Sequence, residues 1–270
     1  FKAGLERGGY PFALFEAAEA ARRYPFLDES AIDYAFLSPE GGALFCQRIA
    51  RDLAAWLTRN GATLRTGARV TALDAEAGRA TLESGETLSA DRVAVTAGAW
   101  VLKLFPGLAE TLTTYRTYVA YLEPPADLNE AWKSAPALLD IGGDADVYAI
   151  PPLDGTGLKL GSGLVKSRGG PDERRTPEPG EGERLRDLFA PPVARIAEYR
   201  VSRVVTCAYT FTADERFVCH AKRKALVVSA CSGHGYKFGA AIGRRVAAAV
   251  ESGDTDLLAR WLAADDWIAA

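Results

Sequence analysis

Three short segments of this 270-residue chain hold side chains that could do more than pack. In Thr206-Cys-Ala-Tyr-Thr210, strand alternation sets Cys207 and Tyr209 on one side. A thiol there is a nucleophile as thiolate and a small core hydrophobe otherwise. In Gly157-Leu-Lys-Leu-Gly161, Lys159 stands between apolar neighbours. Facing inward, its ammonium needs a partner or loses its charge; facing outward, it is an edge-strand lysine. Tyr148 lies in a similar aromatic strand, where core packing is the ordinary explanation. The third segment, Ala230-Cys-Ser-Gly-His-Gly-Tyr-Lys-Phe238, joins an apolar strand to a small-residue helix. Such a junction presents free backbone N–H groups and the positive end of a helix dipole. Gly233 and Gly235 would let a planar or anionic ligand come close, and Lys237 adds a charge. A plain glycine turn with a surface lysine is the competing reading.

Other chemistries are disfavoured. The two histidines, His220 and His234, and the four cysteines, Cys46, Cys207, Cys219 and Cys231, follow no metal-ligand spacing, so no metal is expected. No GxSxG elbow, no GxxxxGK[ST] loop and no GxGxxG between a strand and a helix occurs.

The elements that must position these residues follow from periodicity. Phe12 to Arg23 reads as a short helix stopped before Pro25. Ala43 to Arg59 reads as an amphipathic helix, with Leu44, Phe45, Ile49, Leu53, Trp56 and Leu57 at helical spacing and a stop at Asn60-Gly61. Strand-like alternation covers Thr63 to Leu73, Arg79 to Glu83 and Glu86 to Leu88, with Ser84-Gly85 as a hairpin turn. Arg92 to Thr96 is an apolar strand entering the small-residue turn Ala97-Gly-Ala-Trp100. Thr114 to Leu122, Val147 to Ile150, Leu158 to Gly161, Arg203 to Thr212 and Ala225 to Ala230 read as further strands. Ser167 to Glu183 reads as a solvated loop, and Phe238 to Glu251 as a helix.

Composition narrows the function classes. With 32 Lys+Arg against 35 Asp+Glu and a net charge of −3, there is no basic footprint for nucleic acid or a membrane surface. Hydrophobic residues make up 48%, enough for one large domain or two interleaved ones. No apolar run reaches the roughly 18–20 residues of a spanning helix. With few cysteines and no secretory features, the expected location is cytoplasmic.

In this order the segments resemble the D-amino-acid-oxidase-like FAD-dependent oxidoreductase superfamily, and within it the monomeric sarcosine oxidase and N-methyl-amino-acid oxidase branch. The likeness runs from about Asp33 to Gly253. It rests on Gly42-Ala-Leu-Phe, Gly67-Ala-Arg-Val-Thr71, Thr96-Ala-Gly-Ala-Trp100, Tyr115-Arg116 and Tyr148 before Pro151. It continues through Gly157-Leu-Lys-Leu-Gly161, Cys207-Ala-Tyr-Thr210, Asp214-Glu215 and Ser232-Gly-His-Gly-Tyr-Lys-Phe238. The resemblance implies that Cys207 bonds covalently to the flavin. It implies that Lys237 lies near the flavin pyrimidine edge and the substrate carboxylate, and that Lys159 assists oxygen reduction. By the same likeness Tyr148 and Tyr209 wall the substrate pocket, Val70 meets the adenine portion, and Ala97 and Gly98 pack near the dinucleotide. Gly233, His234 and Gly235 sit at the flavin-side helix start. Two departures stand out. Gly163 occupies the place of a pocket histidine in sarcosine oxidases, and the strand–GxGxxG–helix unit is not in this sequence. The chain therefore looks like the C-terminal two-thirds of such an enzyme.

The expected fold class is α/β (α+β). An incomplete FAD-binding layered domain, 41–100 and 206–270, is interleaved with a mixed, antiparallel-sheet substrate domain, 1–40 and 101–205. The expected function is FAD-dependent oxidation of a C–N bond of an amino acid or N-methyl amino acid to an imine, with oxygen reduced to hydrogen peroxide. Expected partners are a small amine or amino-acid substrate and molecular oxygen, with a monomeric chain. The alternatives are a dehydrogenase with a non-oxygen acceptor, and a flavin-free remnant with a structural or partner-binding role.

Overall fold

The computed structural model describes residues 2–141 and 143–265, and the chain divides into two units. The first takes residues up to Ala43, Thr117–Ser167 and Arg174–Cys207; the second takes Leu44–Arg116, Arg168–Glu173 and residues from Ala208 on. In chain order the elements begin with α1 (Lys2–Gly8), β1 (Ala13–Glu16), α2 (Ala17–Arg23), β2 (Tyr34–Leu37) and α3 (Cys46–Arg59). Then come β3 (Val70–Asp74), β4 (Arg79–Leu82), β5 (Thr87–Ser89), β6 (Val93–Val95), α4 (Val101–Leu104) and β7 (Thr113–Glu123). The middle of the chain forms α5 (Asn129–Lys133), β8 (Leu138–Leu139), β9 (Val147–Ile150), β10 (Leu158–Ser162), β11 (Lys166–Arg168) and α6 (Glu181–Asp187). β12 (Arg200–Phe211), β13 (Val218–Lys222), β14 (Ala225–Ser229), α7 (Gly239–Ser252) and α8 (Thr255–Leu262) follow. The result is a mixed α/β fold, as the periodicity implied.

The first unit is organised by a sheet of order β11-β7-β10-β9-β8, with β12 also paired to β7. The pairs β7–β10, β10–β9 and β9–β8 are antiparallel. Alternation gives this sheet two different faces. Ala120, Leu122, Val147, Ala149, Leu158 and Leu160 point into a core shared with Phe26, Trp132, Phe189 and Tyr199. Phe26 stacks on Trp132 at a centroid distance of 3.7 Å, and the buried Trp132 Nε1–H donates to Tyr199 Oη at 2.9 Å. Each such fully buried large side chain contributes about 1.5–3 kcal/mol. The opposite face carries Tyr121, Tyr148, Ile150 and Lys159, all half-buried.

Two sequence expectations are corrected here. Phe12 to Arg23 is not one helix: Ala13–Glu16 is strand, paired antiparallel with Tyr34–Leu37, and helix begins only at Ala17. That pairing partner lies some twenty residues away, beyond the reach of local periodicity. The segment from Ser167 to Glu183 is not all loop either, since it holds the end of β11 and the start of α6. Gly182 lets that helix press on Val201 and Val204, where an added Cβ would come within 2.6 Å and 2.9 Å.

In the second unit, β6 and β14 run parallel, and β13 pairs antiparallel on the far side of β14. A separate sheet, β3-β4-β5, turns at Gly85 with φ +86. The predicted strand from Thr63 starts only at Val70. Val95, Val101, Leu112, Val227 and Ala230 form one core cluster, and Leu226, Ala249, Leu258 and Leu262 another. Asp254 caps α8 by accepting from the Leu257 N–H at 3.0 Å. Helix α3 forms where its spacing predicted it, yet none of its residues is buried, and Leu53 and Trp56 are each 53% exposed. Among the described residues no helix is long and apolar enough to cross a membrane.

Candidate functional site

The first unit gathers three of the predicted residues on one face of its main sheet. Register sets Lys159 opposite Tyr121 on one side and Ile150 on the other, and Gly161 opposite Tyr148. Lys159 Nζ stands 5.7 Å from the centre of the Tyr148 ring, within reach of a cation–π attraction. Arg203 lies over the Tyr121 ring at 4.2 Å, which fixes the side of β12 that faces this group. Alternation from Arg203 brings Cys207 to the same side. Burial pushes the Tyr148 phenol up to about 12, and the neighbouring Cys207, Tyr121 and Asp146 add to the rise. The Tyr148 phenol therefore stays protonated and neutral at ordinary pH.

Gly161 and Gly163 shape that face. A side chain at 161 would run into the Tyr148 phenol, and one at 163 into the Asp146 carboxylate. The Gly163 N–H donates to the Asp146 carbonyl at 2.9 Å, extending the β9–β10 ladder by one step. None of Tyr121, Asp146 and Arg203 was singled out by the sequence. The only local signal was the alternation Asp-x-Tyr beside Lys-x-Gly-x-Gly.

The second unit holds the remaining predicted residues. Because β6 and β14 are parallel, the turns that follow them leave from the same sheet edge. Ligands of open parallel sheets bind at such carboxyl ends. After β6 come Ala97 and Gly98, the latter at φ +54 with open space where a side chain would be. Asp172 holds this turn by accepting from Trp100 Nε1–H at 2.9 Å and by pairing with Lys103. The Lys103 and Trp100 hydrogen bonds pull the Asp172 carboxyl below its usual range.

After β14 the backbone turns sharply, with Ala230, Ser232 and Gly233 at φ +62, +45 and +77. Non-glycine residues at positive φ cost on the order of 1–3 kcal/mol each and persist where the surroundings hold them. Here Thr210 does the holding. Its hydroxyl lies 3.2 Å from that of Ser229 and accepts from the Ala230 N–H at 3.3 Å, while its carbonyl accepts from the Ser232 N–H at 3.0 Å. Gly233 meets only Phe211, at 3.6 Å, and is otherwise open. Gly235 is different: an added Cβ would meet Cys231 at 2.7 Å, so the protein itself accounts for that glycine. His234 Nδ1 lies 3.1 Å from the Ser232 carbonyl, which can only accept, so the ring proton is assigned to Nδ1. A 3₁₀ turn, Gly235–Phe238, intervenes before α7 and carries an exposed Lys237. Half-buried Tyr209 and exposed Val70, the latter at the start of β3, also belong to this unit.

A parallel strand pair ending in open glycine turns, joined in sequence to an antiparallel sheet with a cation and an aromatic on one face, defines a mixed α/β protein of two units. Comparison with known proteins makes the class specific: the chain belongs to the FAD dependent oxidoreductase family, whose model matches residues 1–249. It is 28% identical over 254 residues to a monomeric sarcosine oxidase of Bacillus sp. (strain B-0618), covering 90% of this chain and 64% of that protein. It is 27% identical over 243 residues to an N-methyl-L-tryptophan oxidase of Yersinia pestis, covering 86% and 63%. The chain thus spans just under two thirds of the curated relatives it matches. Among solved structures, the fructosamine oxidase Amadoriase II of Aspergillus fumigatus superposes with a TM-score of 0.77 at 19% identity, covering 96% of this chain and 64% of that one. Glycine oxidase of Geobacillus kaustophilus gives 0.68 at 20% identity, covering 87% and 60%. These two share the fold.

Proposed function

We propose that this chain is the substrate-handling and flavin-facing part of an oxidase that converts the C–N bond of an amino acid or N-methyl amino acid to an imine. In the overall reaction the substrate gives up one C–H and one N–H hydrogen. Dioxygen takes both with the electron pair and leaves as hydrogen peroxide. Bound FAD would supply the two-electron acceptor that neither the substrate nor any side chain here provides. The single observation that carries the reading is the shared sheet face of Tyr148, Lys159 and Cys207 in a member of an FAD-dependent family.

Each residue has a role that its setting suits. Lys159 holds a positive charge beside the aromatic wall, where it favours an anion forming from oxygen. Tyr148 and Tyr209 wall the substrate, and the neutral Tyr148 phenol orients it without taking its proton. Lys237, exposed on its 3₁₀ turn, attracts the substrate carboxylate. The open turns at Gly98 and Gly233 fit the cofactor, because bare backbone at left-handed angles admits a close planar ligand, and Ala97, His234, Gly235 and Val70 are assigned to the same cofactor by the family likeness. Cys207 supplies a thiol for covalent attachment.

The test is to purify the protein, record flavin absorbance in the visible, and assay peroxide under air with a panel of N-methylated and primary amino acids. Flavin reduction by an amine together with stoichiometric peroxide supports the oxidase. Reduction without peroxide, relieved by a dye acceptor, assigns a dehydrogenase instead. A colourless protein that binds no added FAD overturns the proposal.

A further inference from the structure

The Asp146 carboxylate lies in the space that a side chain at residue 163 would occupy, and Gly163 has none. The arrangement has a backbone cause. Asp146 adopts φ +43, and its carbonyl accepts the Gly163 N–H at 2.9 Å. The adjoining turn is fixed by Ser162 Oγ–H, which donates to the Ala145 carbonyl at 2.6 Å, while the Leu164 N–H donates to Ser162 Oγ at 3.0 Å. Residues 159, 161 and 163 alternate onto one face, so the carboxylate follows Lys159 and the phenol over Gly161 in a single row. One two-residue step of strand separates the carboxylate from the phenol, about 7 Å. Asp146 is exposed, and no Lys, Arg or His among the described residues pairs with its carboxylate. An acceptor-only group is thus held in a rigid frame at the end of the proposed substrate face, with no donor of its own.

We infer that Asp146 is a specificity-determining residue that receives a hydrogen-bond donor, an ammonium or a hydroxyl, carried on the substrate beyond the reacting amine. This rests on the amine-oxidising reading above. A carboxylate ranks substrates by the donors they bring, because a hydrogen bond to a charged group is stronger than one between neutral groups. The row then reads as aromatic contact at Tyr148, positive charge at Lys159 and a negative anchor at Asp146.

The experiment compares three N-substituted amino acids in the purified flavoprotein: one with an aliphatic side chain, one with a terminal ammonium, and one with a polyhydroxylated N-substituent. Calorimetric Kd and kcat/KM are measured for each. Asp146→Gly removes the carboxylate while tolerating the left-handed backbone, and Asp146→Asn keeps a neutral acceptor there. Gly163→Ala tests the same idea from the other side, since its methyl must displace the carboxylate. Preference for a donor-bearing substrate over the aliphatic one should fall about tenfold to a hundredfold in Asp146→Gly and in Gly163→Ala. Loss in Asp146→Asn confined to the ammonium substrate assigns a cation, and retention of the polyhydroxylated preference assigns a hydroxyl. A wild type that oxidises the aliphatic substrate at least as well as both others, with ratios unmoved in all three variants, overturns the inference and leaves the oxidase reading intact. If no amine binds or reduces the flavin, both fall together.

Discussion

Gly161 stands directly opposite Tyr148 in the β9–β10 ladder, and the phenol lies where a side chain at residue 161 would be. The glycine is needed for room rather than for backbone freedom, since its φ is not positive. Gly161→Ala should therefore lift the ring off the sheet and destabilise the protein by about 1–3 kcal/mol, as overpacking does. Denaturant unfolding gives the cost. Ultraviolet titration should show the displaced tyrosine ionising closer to its ordinary range. An unchanged midpoint with an unchanged titration would contradict the packing argument.

Alkaline pH should weaken the fold in two stages. Burial raises the Cys219 thiol from 9.0 to about 11, and the Tyr148 phenol from 10.0 to about 12. In both cases the folded state keeps a proton that the unfolded chain has released. The contribution is therefore complete below the unfolded pKa and is lost as pH rises through the folded one. For Tyr148 the loss is on the order of 2 kcal/mol. Unfolding free energies measured from pH 8 upward should fall first over the Cys219 window and then over that of Tyr148. Cys219→Ala should flatten the first stage and Tyr148→Phe the second.

The turn after β14 should depend on Thr210, which is almost fully buried and holds Ser229, Ala230 and Ser232. Thr210→Val keeps the shape and removes the hydroxyl, leaving the Ala230 N–H without its acceptor. The expected cost is about 1–3 kcal/mol, with faster amide exchange at Ala230 and Ser232. Native exchange rates at these positions would show that the strain is held elsewhere.

Much of this fold was legible where local pattern and tertiary setting agree. Val147–Ile150 is strand on both grounds, and α7 begins within a residue of its expected start, directly after the 3₁₀ turn Gly235–Phe238. Phe12–Glu16 misled because it runs into the alanine-rich helix that begins at Ala17, while the distant Tyr34–Leu37 edge supplies a strand partner. The strained angles at Ala230 and Ser232 were illegible, since neither residue type advertises positive φ. Asp146 escaped notice for a related reason. Its meeting with Gly163 depends on the β9–β10 register, which no spacing along the chain encodes. The apolar spacing of α3 located the helix correctly yet says nothing of what covers it, and its stripe is open.

Lys159 offers a kinetic test of the proposed division of labour. Its ammonium stands beside the Tyr148 ring, and its charge suits an anion that forms from oxygen rather than the neutral amine. Lys159→Met keeps the length of the side chain and removes the charge. Reoxidation of the reduced protein by oxygen should slow by about a hundredfold or more, the effect of losing one electrostatic stabiliser. Anaerobic reduction by substrate should be much less affected. Equal losses in both half-reactions, followed by stopped flow, would place the lysine in substrate binding instead.

Cys207 carries the sharpest prediction. It is half-buried, on the side of β12 that Arg203 and Tyr148 mark as the open sheet face, and it is a free thiol. An inert core cysteine would point to the other side, toward Leu122 and Leu160. On the open face, the sulfur would be available to a flavin held there, and covalent attachment would take one hydrogen from the thiol and one from a flavin methyl group, both passing with the electron pair to dioxygen as peroxide. The purified flavoprotein should therefore keep its yellow colour in the pellet after acid precipitation, with a mass increase of one FAD on the peptide containing Cys207. Cys207→Ala should release the colour to the supernatant while the protein stays folded, because the change removes one half-buried sulfur and opens no sealed cavity. If the wild type also releases its flavin, the thiol only lines the face, and the cofactor is held by non-covalent contacts alone.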